Sequence, residues 1–157
     1  MALLTYNTTV TLADGTKLAI GQLLGDGTDP TRDHQLPDGA VIAAINLAAP
    51  WPDEQAAYFR SISRFEAEWP LVECVVRARF VGDRITECGL GGVATVPLRM
   101  NAAESILTGA SLSDEVIDRV ATVCTDGASP LPETGYKVDL VKATVQETLE
   151  RLRSTRE

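Results

Sequence analysis

The chain has 157 residues, of which 45% are hydrophobic and 23% are charged, a composition typical of one globular domain or of one compact domain with a smaller layer attached. Its 14 basic residues are scattered among 22 acidic residues. The net charge of −8 argues against nucleic acid as a partner, because a phosphate-binding surface needs clustered Lys and Arg.

The longest apolar run covers residues 40–51, and it is interrupted by Asn46 and Pro50. It is far shorter than the roughly 20 residues of a membrane-spanning helix. The first ten residues lack the basic start and the cleavage site of a secretory signal. We therefore predict no membrane segment and expect a cytoplasmic protein.

The first elements predicted along the chain are strands. Residues 8–20 alternate around Ala-Asp-Gly, which is typical of a hairpin whose turn needs glycine. The loop that follows holds His34, the one histidine of the chain, so neither a His-pair metal site nor a catalytic triad is expected. Residues 40–49 are apolar enough for a buried strand. Residues 55–65 are predicted to be extended, with a turn of helix over residues 55–58 as the alternative.

Residues 71–80 and 84–90 are predicted to form a second hairpin. In its first strand Cys74 is in phase with the apolar positions, whereas Arg77 and Arg79 lie on the opposite face. The three cysteines of the chain have no Cys-x-x-Cys spacing, which argues against a disulfide framework and against a zinc or iron–sulfur site. We expect each of them to be a small hydrophobic residue of the core.

The stretch GLGGVATVPLR, residues 89–99, begins with the G-x-G-x-x-A pattern of a dinucleotide-binding loop. Such a loop must lead at once into a helix that points its N-terminus at the phosphates. Pro97 falls where the second turn of that helix would lie, and it would cost about 3 kcal/mol there. Residues 89–99 are therefore predicted to be an extended connection rather than a phosphate site.

Three helices are predicted after this connection. The first runs from about residue 102 to 108, opened by a capping-box-like pair of Asn101 and Glu104 and ended by Gly109. The second begins at Ser113 and ends at Gly127. The third follows Pro132, and its apolar stripe comprises Val138, Val141, Val145, Leu149 and Leu152. The predicted fold class is α+β, an antiparallel sheet followed by a three-helix layer.

Several segments resemble the C-terminal part of the FAD-binding subunit of molybdenum hydroxylases, the family of carbon monoxide dehydrogenase and xanthine dehydrogenase. The most specific is GLGGVATVPLRMNAAESILTG, which is similar to a family motif of the form G-G-V-A-x-x-P-x-R followed by a helix with a Glu and a closing Leu-x-Gly. The segments YFRSISRFEAEWPLVECVVRARF and PLPETGYKVDLVKATVQETL also resemble family segments. The fold implied is like the C-terminal domain of the carbon monoxide dehydrogenase flavoprotein.

The resemblance implies a division of the chain into residues 1–53, the tail of the second FAD-binding subdomain, and residues 54–157, the flavoprotein C-terminal domain. It also implies that the paired glycines are structural, and we expect Gly91 or Gly92 to have a positive φ at the handover from sheet to helices. In the family, the loops that hold the FAD pyrophosphate precede the segment matched here. We expect either a split gene, whose second chain supplies those loops, or a shortened chain.

Two residues match family positions that border the flavin. Ile42 matches an apolar residue packed on the cofactor, and Arg60 matches a basic residue near the isoalloxazine ring, where a cation would favour the reduced, anionic flavin. Without the resemblance, Ile42 is a core residue of a strand and Arg60 a solvated strand end. For Arg64, Glu66 and Trp69 we expect a surface ion pair beside a buried indole.

Two functions follow as hypotheses. In the first, the chain helps to enclose FAD and to relay electrons from iron–sulfur clusters to an acceptor, bound to an N-terminal FAD-binding half, an iron–sulfur subunit and a molybdopterin subunit. In that case we expect FAD to bind only together with the N-terminal half, and the isolated chain to be inactive. In the second, the chain is a cofactor-free scaffold between subunits, derived from such a flavoprotein.

Overall fold

The structure is a computed structural model that describes residues 1–29, 31–62, 69–93 and 96–156. In the described residues the elements follow one another as α1 (Ala2–Thr5), β1 (Thr9–Leu12), β2 (Lys17–Ala19), α2 (Ile20–Leu24), β3 (Ile42–Asn46), β4 (Glu54–Ser61), β5 (Val72–Val81), β6 (Arg84–Val93), β7 (Pro97–Arg99), α3 (Asn101–Leu107), α4 (Asp114–Val123) and α5 (Tyr136–Ser154). The α+β class and the antiparallel sheet followed by three helices are confirmed.

The strands form two antiparallel sheets. The small sheet has the order β2-β1-β3, and the large sheet has the order β4-β5-β6-β7. Both predicted hairpins are present, and their turns place Gly15 and Gly82 at positive φ. Residues 97–99 form a strand rather than a helix, as Pro97 indicated.

Helices α3 and α5 cover one face of the large sheet, and α4 packs against these two helices. The main core lies between these helices and the sheet. In it, every second residue of β5 from Cys74 to Phe80 belongs to the same cluster as Leu149 and Leu152 of α5. The start of α4 was predicted correctly, because the Ser113 hydroxyl accepts a hydrogen bond from the Val116 N–H. A second, smaller core is formed by Leu4, Val10, Leu12, Ile20 and Leu23.

The opposite face of the large sheet carries α1, and it is here that the glycine motif acts. Gly89 and Gly91 lie in β6 with their open side under α1, and a Cβ on Gly89 would come within 2.8 Å of the Thr5 carbonyl oxygen. The expectation of a positive φ at Gly91 or Gly92 was wrong, because both residues belong to a regular strand. At Gly89 the lack of a side chain leaves room for α1 to pack closely against the strand. The glycine is not required for a turn.

Candidate functional site

The first predicted site residue, Ile42, lies on a strand that was expected to be buried and is not. All five residues of β3 are exposed, with Ile42 exposed to 41% and Ile45 to 49%. The neighbouring Val41 and Leu47 are more exposed still. The strand was predicted correctly, but the prediction that it is buried was wrong, because no segment among the described residues covers it.

A β-bulge places the two isoleucines of β3 on one face. Ile45 pairs with Val10, and after the bulge Ile42 pairs with Leu12. Directly paired residues share a face of the sheet, so both isoleucines lie on the face that Val10 and Leu12 bury in the small core. This apolar face of the small sheet therefore continues past the core to an exposed edge. Contiguous exposed apolar surface of this kind is typical of sites that contact another protein segment or a ligand.

The second predicted site residue, Arg60, lies in the large sheet. It is half-buried on β4, directly opposite Glu73 of β5. Ala57 packs against the helical core, so Arg60 and the exposed Tyr58 point to the opposite face, the one that carries α1. Ile42 and Arg60 thus belong to different sheets, whose strands are not hydrogen-bonded to each other.

Of the surface ion pair and buried indole expected for Arg64, Glu66 and Trp69, the structure describes only the indole. Arg64 and Glu66 lie outside the described residues. Trp69 is 90% exposed, so the expectation of a buried indole was wrong.

A buried polar cluster that the sequence did not reveal joins the N-terminal segment to the large sheet. Arg77 is 1% exposed, and its Nη1 donates to Glu54 Oε2 at 2.9 Å. Its guanidinium lies over the rings of Trp51, 3.7 Å from the centroid, and Tyr6, at 4.3 Å. Its Nε donates to the carbonyl oxygen of Thr5 at the end of α1.

The carboxylate of Glu54 is satisfied from three sides. Besides Arg77, it accepts from the Tyr6 hydroxyl at 2.7 Å and from the Trp51 N–H at 3.1 Å. Burial by itself raises the pKa of Glu54, but these hydrogen bonds and the charge of Arg77 outweigh it and lower the pKa. The hydrogen bond to Glu54 raises the pKa of Tyr6, with burial acting in the same direction. At neutral pH Glu54 is therefore ionised and the Tyr6 hydroxyl keeps its proton.

A second arginine binds the same short helix. Arg99 Nη1 donates to the carbonyl oxygen of Leu4 at 3.1 Å and also to the Asn7 side chain, and Arg99 Nε donates to Glu104 Oε1 at 2.7 Å. Glu104 also accepts from the N–H of Leu90 at 2.8 Å. The expectation of a capping box was therefore wrong: Met100 is the N-cap residue of α3, and Glu104 pairs with Arg99 instead.

The thiols have the environment predicted for core residues. Cys74 and Cys88 are buried, and Cys124 is partly buried against the main core. Burial raises the pKa of Cys74 and of Cys124 to about 12 and that of Cys88 to about 11, so all three are protonated and unreactive. In the described part of the chain no His, Cys, Asp and Glu side chains gather into a metal site, and no helix is long and apolar enough to span a membrane.

A groove of about 730 Å³ lies between the start of β5, the end of β6 and the first half of α5. Its walls are mainly apolar, and its charged residues are Asp26, Glu73, Asp126 and Lys137. Three carboxylates against one ammonium group repel an anion, so this groove does not suit a pyrophosphate.

Comparison with known proteins gives the following matches. The family model of the CO dehydrogenase flavoprotein C-terminal domain matches residues 57–152. Among solved structures, the chain is similar to chains of CO dehydrogenase from Oligotropha carboxidovorans, with a TM-score of 0.83 and 16% identity over 97% of this chain. CO dehydrogenase from Hydrogenophaga pseudoflava gives a TM-score of 0.83 and 21% identity, and quinoline 2-oxidoreductase from Pseudomonas putida 86 gives 0.80 and 15%, each over 98% of this chain.

In all three structures the match covers 55% of the other chain, so this chain spans little more than half the length of the solved chains that it matches. No curated protein matches the sequence. At these identities the structural likeness concerns the fold.

Proposed function

The chain belongs to the family of the CO dehydrogenase flavoprotein C-terminal domain, and on that premise we propose that it is the C-terminal portion of the FAD-binding subunit of a molybdenum-hydroxylase-type oxidoreductase. The observation that carries the proposal is the family match over residues 57–152, the range that contains the whole main core. We propose a boundary between residues 53 and 54, with residues 1–53 as the tail of the preceding FAD-binding subdomain.

The uncovered face of the small sheet supports this proposal. Ile42 and Ile45 continue the apolar face of the small core but remain exposed, as expected of a surface that a further part of a larger subunit covers. The solved chains that match contain a further portion with no counterpart here. An N-terminal FAD-binding half is therefore the first partner that we propose.

The residues present suit the ring of a flavin better than its pyrophosphate. An apolar strand face and a half-buried arginine are the kinds of surface that hold a planar, partly apolar ring. The acidic groove offers no comparable place for the phosphates. We therefore expect FAD to bind only when the N-terminal half supplies the anion-binding loops.

In this function Ile42 packs against the flavin ring, and Arg60 places a positive charge near it. When bound, FAD supplies the electron-transfer chemistry. The positive charge of Arg60 would stabilise an additional negative charge on the flavin ring. The carboxylate of Glu73, which lies opposite Arg60 in the sheet, reduces that stabilisation. The iron–sulfur and molybdopterin subunits are the further partners of such a relay.

The experiment that tests the function is co-expression of this chain with an N-terminal FAD-binding half that carries the glycine-rich loops. We expect a yellow complex with stoichiometric FAD, and a colourless preparation when the chain is purified alone. A co-purified but colourless complex would favour the cofactor-free scaffold. Stoichiometric FAD on the isolated chain would refute the requirement for an N-terminal half.

Redox titration of that complex tests Arg60. Arg60→Ala should lower the midpoint potential of the flavin, and each 1.4 kcal/mol of lost electrostatic stabilisation lowers a two-electron potential by about 30 mV. The matched control is Arg79→Ala, which removes the same charge from the same face of the sheet at a half-exposed pair with Glu87. The control should leave the flavin potential unchanged. If Arg60→Ala also leaves the potential unchanged at full flavin occupancy, Arg60 does not border the ring.

A further inference from the structure

The chain contains four Asp-Gly steps, at residues 14–15, 26–27, 38–39 and 126–127. In such a step the peptide nitrogen of the glycine can attack Cγ of the aspartic acid, because glycine has no side chain to hinder the approach. A C–N bond forms, and the proton of the nitrogen leaves with the hydroxyl group of the protonated carboxyl as water. One water molecule then opens the resulting succinimide ring, which gives either aspartate again or isoaspartate. The overall change consumes no reagent.

Two of the four steps are held by hydrogen bonds to the carboxylate. Asp14 Oδ1 accepts from the Thr16 N–H at 2.8 Å. Asp26 Oδ1 accepts from the Thr28 N–H at 3.0 Å and from the Thr28 hydroxyl at 2.8 Å. These hydrogen bonds, that of the backbone N–H above all, lower the pKa of both aspartates. Because only the protonated carboxyl releases its hydroxyl group as water, both steps are protected.

The other two steps lack such hydrogen bonds. Asp38 and Asp126 are exposed, and within the described part of the chain no group donates a hydrogen bond to either carboxylate. The N–H groups of Gly39 and Gly127 likewise have no acceptor among the described residues. Both glycines have a φ of 75°, and a Cβ added to either would meet no atom within 4 Å. The two reacting groups of each step are therefore free, and water has access to them.

Both open steps lie at the centre of a β-turn. The Ala40 N–H donates to the Pro37 carbonyl oxygen at 3.0 Å, and the Ala128 N–H donates to the Thr125 carbonyl oxygen at 3.1 Å. These hydrogen bonds join the ends of each turn and do not involve the reacting nitrogen or carboxyl group. Each turn therefore presents its Asp-Gly step to solvent at its tip.

We propose that Asp38 and Asp126 are sites of spontaneous isoaspartate formation in the folded chain, whereas the two hydrogen-bonded steps are not. Each conversion adds one carbon to the main chain inside the turn and attaches the carboxylate directly to Cα. At residue 38 the added carbon separates Pro37 from Ala40, which packs against the small core two residues before β3. Conversion there should weaken the hydrogen bond that closes this turn and loosen the start of β3.

Peptide analysis of the aged protein tests the proposal. Trypsin cleaves after Lys and Arg, so the four steps fall in the separate peptides 1–17, 18–32, 33–60 and 120–137. The purified chain is kept for weeks at physiological temperature and mildly acidic pH and is then digested. Electron-transfer fragmentation locates isoaspartate in each peptide, and a methyltransferase specific for isoaspartyl carboxylates, supplied with S-adenosylmethionine, quantifies it. Peptides 33–60 and 120–137 should gain isoaspartate at least about tenfold faster than the other two, because there no hydrogen bond to a charged group has to break first.

Unfolding and two variants serve as controls. In guanidinium chloride all four steps should convert at similar rates, because unfolding removes the hydrogen bonds that protect two of them. Asp38→Glu and Asp126→Glu keep the charge but would have to close a six-membered ring, so each should abolish the product in its own peptide alone. Equal conversion of all four steps in the folded chain, or no conversion at Asp38 and Asp126, would overturn the proposal.

Discussion

Removal of the Arg77 side chain tests whether the buried cluster holds the N-terminal segment to the large sheet. In Arg77→Ala, Glu54 stays 8% exposed without its ion pair, and the Thr5 carbonyl loses its donor. Breaking a buried ion pair by removing one partner costs about 3–5 kcal/mol. For a protein of this size that corresponds to a fall in Tm of roughly 6–20 °C.

Urea unfolding followed by circular dichroism measures this loss, with Arg79→Ala as the matched control. Arg79 lies on the same strand and face, but its ion pair with Glu87 is half-exposed, so its loss should cost about 1 kcal/mol or less. If Arg77→Ala is too unstable to purify, the double variant Arg77→Met/Glu54→Gln, which leaves no buried charge, should recover folding. A loss for Arg77→Ala no larger than that of the control would refute the reasoning.

Three further outcomes are expected. Gly89→Ala should destabilise the fold by about 1–3 kcal/mol, because its Cβ would meet the Thr5 carbonyl oxygen at 2.8 Å, whereas Gly91→Ala, whose Cβ has ordinary contacts at 3.5 Å, should cost less in the same urea assay. Burial raises the pKa of Cys74 to about 12, so its thiol should react with an aromatic disulfide reagent at pH 8 only as fast as the protein opens. Urea should therefore accelerate the reaction. Fast labelling of the native protein would contradict the burial of Cys74. The pKa of Glu54 is lower in the fold than its unfolded value of about 4.3, so the ionised carboxylate stabilises the fold above pH 4.3, and this stability is lost as the pH falls through the folded pKa. Glu54→Gln should abolish this part of the acid destabilisation. Curves of unfolding free energy against pH that run parallel for the variant and the original protein would contradict it.

Local patterns in the sequence predicted most of the fold. The two hairpins follow from alternation and from turn glycines, and Pro97 correctly excluded a helix after the glycine motif. These features depend on residues close together in the chain. The same patterns could not predict burial, because an apolar strand such as β3 has the same sequence whether or not another segment covers it.

The site depends on contacts that no local pattern contains. Arg77 and Arg79 are equivalent by alternation, yet one is buried between two rings and the other is half-exposed. What separates them is the arrival of Trp51 and Tyr6 from distant parts of the chain. Glu104 likewise leaves the capping role that its spacing predicted, because Arg99 is a charged partner within reach.

The contacts of α1 have a consequence for synthesis of the protein. The two carbonyl contacts of this helix are made by arginines 72 and 95 residues further along the chain, so the helix is translated well before its partners. Helix α1 has only four residues, too few to be stable alone in water. The N-terminal segment must therefore wait, with the apolar residues of the small core incompletely held, until β5 and β7 have been translated. During that interval chaperones and neighbouring nascent chains have access to it.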